Sequence, residues 1–409
     1  MSSTGDKNEI RADILVVGGG LNGLPLAISL AAAGLDVIVL ERQVPETLLS
    51  PEFDGRVSAI AHASRNLFRS AGIWDHVEEK QPMLDIRITD GPSKCFLHYD
   101  HRQLGDEPFG FMVENRYLRL AMSRRAAELK TLKIMAPTEY LSIDRQSTGA
   151  TASLASGETI SARLVVAADG RMSPLRELAG IKTVGWSYKQ SGIVCTVAHE
   201  FPHQGVAQER FLNPGPFAIL PMTGNRSSLV WTEETLRARQ IMALPDDEFQ
   251  TEMATRFGDY LGALEVVGPR WSYPLALHQS EQYTAERLAL IGDAAHGMHP
   301  IAGQGLNLGL RDVAALAQVV IDASRLGLDM GGATVLEDYQ RWRRFDSIAL
   351  LAITDGLNKL FGSDIPAVRL SRDIGLAAVN KMPSLKGFFM EHARGTVGKM
   401  PRMLQGEPL

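Results

Sequence analysis

The chain reads as an α/β protein: a Rossmann-like nucleotide-binding unit with an inserted antiparallel sheet and a helical C-terminal region. Three observations predict this. A short apolar run, Asp13-Ile-Leu-Val-Val17, leads straight into the glycine turn Gly18-Gly-Gly-Leu-Asn-Gly23. From Gly192 to Thr232, strand-like runs follow one another with no helical spacing between them, which points to a separate antiparallel sheet. Beyond Val313 the apolar spacing is helical throughout, with breaks at Pro366, Pro383 and Pro401.

The elements follow in order. Asp13–Val17 is continuously apolar, as in strands buried on both faces of a parallel sheet. Leu24–Ala33 has helical spacing and ends at Gly34, a residue suited to a helix C-cap. Asp36–Leu40 is the next strand and closes a βαβ unit of about thirty residues. Ala61–Ala71 and Tyr117–Leu129 read as helices, the latter with Arg and Glu on its outer face. Between Leu132 and Ile160, alternating segments such as Ala152-Ser-Leu-Ala-Ser with a turn at Gly157 predict antiparallel hairpins. Leu164–Ala168 returns as a buried parallel strand. Ile193–Ala198, Pro216–Pro221 and Ser227–Trp231 are the strands of the second sheet, and Asp247–Leu264 reads as a helix.

At 409 residues the chain exceeds the size at which one core stops growing. A net charge of −5 disfavours nucleic-acid binding, which needs a concentrated basic surface. Cys95 and Cys195 lack metal-ligand spacing and suit a reducing compartment. The start, Met1–Ile10, lacks the apolar stretch of a secretory signal, and no uncharged apolar run approaches the ~20 residues that span a bilayer. A cytoplasmic location follows as the expectation, with contact to a membrane surface left open.

Gly18, Gly20 and Gly23 form G-x-G-x-x-G, whose glycines permit a tight turn, close approach of a pyrophosphate and helix–strand packing. Glu41 ends the next strand, where an acid can accept from a ribose hydroxyl. Asp54-Gly-Arg56 offers a guanidinium fork for phosphate or a solvated surface arginine. Arg116 and Arg119, near a helix start, oppose the helix dipole, which favours a bound anion there. Asp169-Gly170 sits at the carboxyl end of a parallel strand, where ligand clefts form, although Asp-Gly also marks ordinary turns. Leu290–Gly309 delivers Asp293 and then Pro300, Gly303, Gly305 and Gly309, a backbone almost free of side chains. His296 and His299 lack a nearby third ligand, so no metal is expected. No G-x-S-x-G elbow, H-E-x-x-H helix or Walker lysine is present.

Taken together these residues resemble the class A flavoprotein aromatic hydroxylases of the para-hydroxybenzoate hydroxylase fold, from about residue 12 to about residue 345. Within that family His299-Pro-Ile-Ala-Gly-Gln-Gly-Leu-Asn-Leu-Gly-Leu-Arg-Asp312, Asp54–Ala59, Ala218–Pro221 and Leu229–Thr232 are similar to the ubiquinone-biosynthesis hydroxylases of the UbiH/UbiF type. The resemblance implies FAD as cofactor and NAD(P)H as co-substrate, with ring hydroxylation of a polyprenylated phenol by O2 through a C4a-hydroperoxyflavin. It implies that Glu41 and the neighbouring Arg42 hold the adenosine end, that Arg56 faces the pyrophosphate, and that Arg116 lies along the ribityl–phosphate region. Asp169-Gly170 belongs to the flavin and nicotinamide motif, and Asp293 would bind ribityl or pyrophosphate. Pro300 and the backbone Gly303, Gly305, Leu306 and Asn307 would line the flavin ring.

The implied domains are 1–78, 102–183 and 272–345 for FAD, 79–101 and 184–271 for substrate, and 346–409 as the helical C-terminus. Phe211, Phe217, Ile219, Leu220 and Trp231 are the expected apolar substrate wall. The C-terminal stretches Leu385–Met390 and Lys399–Leu404 either touch a membrane or partner of the ubiquinone pathway or pack on the body. A hydroxylase of small soluble phenols and a non-catalytic FAD-binding component remain alternatives. No catalytic base is identified; His199, on the substrate sheet, reads as an ordinary histidine.

Overall fold

The computed structural model describes residues 9–409 except 92, 94, 95, 300–302, 363–371, 373, 374, 376 and 377. Its first sheet sets the strands Leu288–Leu290, Thr159–Ala167, Glu9–Val17, Val37–Leu40 and Leu132–Met135 side by side, all parallel. The expected continuous apolar strand is fully covered: Ile14, Leu15 and Val16 have no exposed surface. Each such side chain contributes about 1.5–3 kcal/mol on burial. The helix Gly23–Ala32 is likewise buried nearly all round, because it lies against this sheet with the helices Asn115–Ala127 and Gln304–Arg325 beside it. Gly34 follows it at φ +95°, the left-handed conformation that favours glycine.

The second sheet runs in the order His296–Gly297, Leu264–Ser280, Thr183–His199, Arg226–Glu234, Pro216–Met222, Val206–Phe211, Asp85–Asp90, Phe96–Asp100. It is antiparallel as expected except at one place, where Val206–Phe211 pairs parallel with Asp85–Asp90. A small antiparallel sheet of Val57–Ala61, Gly110–Glu114 and Gln81–Met83 stands beside it. Met83 and Met112 of the small sheet pack on Ala207 and Leu220 of the large one.

Several expectations change. Leu132–Met135 is not part of a hairpin but the outer parallel strand beside Val37–Leu40; four residues are too few for alternation to show. The hairpins start later, with Tyr140–Gln146 against Gly149–Leu154 and the latter against Thr159–Ala167. The helix expected to reach Leu264 is Asp246–Phe257, stopped by Gly258 at φ +83°, and a further helix, Thr235–Met242, precedes it. Of the expected substrate wall, Phe217, Ile219 and Trp231 point the other way. They pack with Phe249, Met253 and Phe257 in a separate core, because strand side chains alternate faces. At the C-terminus, Met390 joins Leu97, Tyr99 and Phe109 in a further core, and Met403 and Leu404 are buried, so much of that region packs on the body. Cys195 is a buried free thiol; Cys95 and Pro366 lie outside the described residues.

One buried charge ties the layers. Asp312, on the helix Gln304–Arg325, is wholly buried. Its carboxylate accepts from Gly292 N at 3.0 Å, lies 2.6 Å from His296 Nε2, and accepts from Arg343 Nε at 2.8 Å. Burial would push its carboxyl up, but His296 and Arg343 hold it below the ordinary carboxylate range. On the next helix, Ala333–Phe361, the Tyr339 hydroxyl donates to Leu290 O at 2.7 Å.

Removing one member of a buried ion pair strands the other, at a cost of about 3–5 kcal/mol. Asp312→Ala is therefore expected to lower stability by that amount in urea unfolding, and Asp312→Ala/Arg343→Met to recover part of it. Acid should weaken the fold earlier than the carboxylates alone predict. Burial holds His62 and His299 down to about 4, with Arg394 adding at His62. The unfolded chain protonates both near 6.5, so stability is full above that pH and falls as pH drops toward 4. Thermal unfolding at successive pH values should show this decline, and His299→Phe should make it shallower.

Candidate active site

The loop Gly18–Gly23 connects the strand Glu9–Val17 to the helix Gly23–Ala32. A Cβ at Gly18, where φ is +104°, would lie 2.3 Å from the Ala168 carbonyl oxygen, and one at Gly23 would lie 1.9 Å from Gly18 O. These two glycines are demanded by the protein itself. Gly20 is different: nothing stands within 4 Å of its Cβ position, and it faces a cavity together with Leu21 and Asn22. Open backbone at a helix N-terminus is what a pyrophosphate requires.

Glu41 lies at the outer end of this loop. Its carboxylate accepts from Gly19 N and Gln43 N, both at 2.8 Å, so it braces the turn as well as standing where a ribose would come. Arg42 beside it is exposed. Neither borders the cavity, which begins at Gly20.

From the other side of the sheet come Asp169 and Gly170, just past the strand Thr159–Ala167. Burial raises the Asp169 pKa against the hydrogen bonds that lower it; Oδ2 accepts from Leu175 N at 3.3 Å, while Oδ1 is buried without a partner among the described residues. Gly170 borders the cavity at φ +86°. Arg176, buried nearby, donates to Arg171 O at 2.9 Å and Ala294 O at 3.1 Å, locking this turn to the downstream segment.

That segment places Asp293 in the short turn Gly292–Ala294, exposed to the cavity. His278 Nε2 lies 2.9 Å from Asp293 O; burial lowers the pKa of this imidazole, so a neutral ring donates there. Asn22 sits between the two distant motifs. A Cβ at Gly292 would come within 2.3 Å of its Nδ2, and one at Gly309 within 2.5 Å of its Oδ1. Asn22 fills the space a side chain at either glycine would need, and its Oδ1 is buried without a partner among the described residues.

The helix Gln304–Arg325 begins at Gly303, φ +61°. Gly303, Gln304, Gly305, Leu306 and Asn307 all border the cavity, and Gly305 has open space at its Cβ position. The Asn307 side chain points elsewhere: it donates to Ala59 O at 2.8 Å and Gly303 O at 3.0 Å and accepts from Ala61 N at 2.9 Å. It anchors the helix start. Pro300 lies outside the described residues.

The arginines are mostly spoken for. Arg56 borders the cavity, paired to Asp54 at 2.6 Å, and Arg119 approaches the same carboxylate at 3.4 Å. Arg116 pairs with Glu114 at 2.7 Å, donates to Pro51 O, and does not border the cavity. The unfavourable helix-start charges are thus met by carboxylates of the protein.

The cavity has a volume of about 1090 Å3. It runs from the nucleotide loop to an apolar end walled by Ile86, Leu97, Phe109, Phe211, Leu220 and Phe361. Burial pushes the carboxyl of Glu209, on this wall, up to about 8. His199 does not border the cavity; its ring is hydrogen-bonded to Phe201 O and Ser227 Oγ. Among the described residues no cluster of side chains fits a metal ion. Asn22, Arg176 and Glu209 went unread in the sequence because each acquires its role from partners far along the chain.

The site fits a flavin dinucleotide: an open backbone at Gly20 before one helix, a second helix N-terminus at Gly303–Leu306 on the same cavity, oxygens of Asp169 and Asn22 that lack a partner among the described residues, and a long space between. Comparison with known proteins agrees. The family described as FAD binding domain matches residues 11–346. The ubiquinone hydroxylase UbiL of Rhodospirillum rubrum is 50% identical, covering 99% of this chain and 95% of its own length. The 3-demethoxyubiquinol 3-hydroxylase of Escherichia coli is 33% identical over 94% of this chain and 98% of that protein. In fold, p-nitrophenol 4-monooxygenase PnpA from Pseudomonas putida superimposes with a TM-score of 0.79 at 20% identity, covering 96% of this chain and all of that one.

The contrast among the glycines is testable. Gly20→Ala should leave the melting temperature of the flavin-free protein unchanged and weaken flavin binding about ten- to hundred-fold, the loss of ~1.5–3 kcal/mol expected for a charged hydrogen bond. Gly23→Ala should instead lower the melting temperature itself. Flavin absorbance after gel filtration and a thermal melt distinguish the two.

Proposed function

The chain belongs to the FAD binding domain family and is an FAD-dependent monooxygenase, and from that premise we propose that it hydroxylates the ring of a polyprenylated phenol on the way to ubiquinone. The observation that carries the reading is the continuous cavity, polar at the nucleotide loop and apolar at its far end. A phenol with a greasy tail has that division of character.

Bound FAD, reduced by NAD(P)H, supplies the oxygen-activating chemistry; the protein supplies position, charge and dryness. Gly18, Gly20 and Gly23 with the helix they open hold the pyrophosphate, and Glu41 and Arg42 the adenosine ribose. Arg56 faces the pyrophosphate from the cavity rim, with Arg116 behind it, turned to Glu114. Asp293 takes the ribityl chain, and Asp169-Gly170 lies alongside. Backbone N–H groups from Gly303 to Asn307, at a helix N-terminus, stabilise negative charge at the flavin ring, and Pro300, three residues earlier in the sequence, is assigned to the same ring. Residues 1–78, 102–183 and 272–345 serve the cofactor in this reading, 79–101 and 184–271 the substrate, and 346–409 cover the apolar end.

The prenyl tail runs along Leu357, Leu360, Phe361, Val379 and Phe389, which border the cavity. Apolar walls exclude water from the reacting ring. The helices that carry most of them expose Phe345, Ile353 and Phe388 outward, a surface suited to contact with the membrane that holds such a substrate. Among the described residues no helix is long and apolar enough to cross a membrane.

Deleting the gene should abolish ubiquinone and accumulate a precursor lacking one ring oxygen, read by mass spectrometry of quinone extracts; unchanged ubiquinone would sink the proposal. The purified protein should couple NAD(P)H oxidation to hydroxylation of 2-farnesylphenol. Turnover of hydroxybenzoate in its place would point to catabolism of small phenols.

A further inference from the structure

Along the strand Val206–Phe211 every second residue is buried, and these three, Ala207, Glu209 and Phe211, border the cavity. Glu209 is paired directly with Ala218 on one side and Ile88 on the other, and beyond them stand Val230 and Leu97. Residues paired across a sheet share a face, and these four also border the cavity. One carboxyl group therefore stands in the middle of an otherwise apolar floor.

Nothing among the described residues accounts for it. Glu209 is only 9% exposed, and among the described residues it has neither hydrogen bond nor ion pair. Burial raises its pKa to about 8, and among the described residues no charge acts on it. Among the described residues the other ionisable groups at this end of the cavity are Tyr99 on the strand Phe96–Asp100, Tyr273 on Leu264–Ser280 and Arg372. Asp90, on the strand next to Glu209, is satisfied by Arg372 at 2.8 Å. The neighbouring strands Pro216–Met222 and Arg226–Glu234 bring only Ala218, Leu220, Ser228 and Val230 to the cavity. At the nucleotide end stand Arg56, Arg171, His278, Asp293 and His296, none of which perturbs it. An unpaired buried carboxyl costs stability, and a group poised near neutrality inside a cleft is fitted to proton transfer.

We infer that Glu209 is the catalytic base of the substrate site, accepting the proton of the substrate's ring hydroxyl as oxygen is transferred. The assignment rests on the reading of the cavity as a phenol site. The ring O–H bond breaks and a Glu209 O–H bond forms, and the freed electron pair enriches the ring carbons ortho and para to that oxygen. One of these carbons forms the new C–O bond as the O–O bond derived from O2 breaks: one oxygen enters the ring as hydroxyl, and the other leaves as water with the two electrons of NAD(P)H and a proton from solvent. That carbon then loses its hydrogen as a proton to solvent, restoring the aromatic ring, and Glu209 returns its proton to the ring oxygen.

The experiment follows product formation from 2-farnesylphenol by the FAD-loaded full chain from about pH 6 to about pH 10. In the wild type kcat/KM should rise with pH and level off above the titration of Glu209 near 8. Glu209→Gln should lose about 100-fold or more and with it the rise, whereas Glu209→Asp should turn over slowly and keep it. Wild-type rates in Glu209→Gln, or a slowed reaction that still rises with pH, overturn the assignment while leaving the phenol site standing. A wild type that hydroxylates no phenol sinks both. Should Glu209→Gln not fold, the wild type and Glu209→Asp decide: in both kcat/KM must rise with pH, and a profile flat from about pH 6 to about pH 10 overturns the proposal.

Discussion

Asp312 is a carboxylate with no exposed surface, and three otherwise independent parts of the molecule meet on it. Gly292 N brings the end of the first sheet, His296 the edge of the second, and Arg343 the long C-terminal helix. A charge buried this deeply tolerates little displacement of its partners, since each lost contact leaves an uncompensated charge in a low-dielectric interior. Asp293 and the bare turn Gly303–Leu306 flank these contacts along the chain. The geometry at the flavin end of the cavity is therefore only as good as this one buried cluster.

The two sheets divide the chemistry. The parallel sheet offers backbone: its strand ends and helix N-termini present N–H groups to a charged, extended cofactor. The antiparallel sheet offers side chains: one face builds a separate core with two helices, and the opposite face floors the cavity. A floor of apolar residues keeps out water, which a reaction with activated oxygen cannot tolerate. It also raises the proton affinity of the carboxyl placed within it, so dryness and basicity at Glu209 have one physical origin.

Local chemistry made much of this legible. Asp13–Val17, Gly18–Gly23 and Glu41 lie within thirty residues, and turn sterics and strand burial act at that range. The downstream Gly292-Asp293 and Gly303–Asn307 stand out in the sequence because bare backbone is itself a signal, and the structure sets both on the cavity through Asp293 and Gly303–Asn307. Other features were not. Arg116 could be proposed for a phosphate, yet Glu114 and Pro51 claim it. Phe217 and Trp231 look like substrate wall until register turns them to the far face. Leu132–Met135 is too short to declare whether its neighbour is parallel.

The sequence by itself determined the class of cofactor, the order of the motifs that hold it and the alternation of helix and strand, because these rest on glycine sterics, strand period and capping within short stretches. Tertiary structure alone decided that Asn22 fills the space left by Gly292 and Gly309, that Asp312 gathers three elements, and that Glu209 stands unpaired in an apolar cavity. Those outcomes depend on which residues of different elements, from about ten to nearly three hundred positions apart, share a face and exclude water from one another. No local pattern along the chain encodes that.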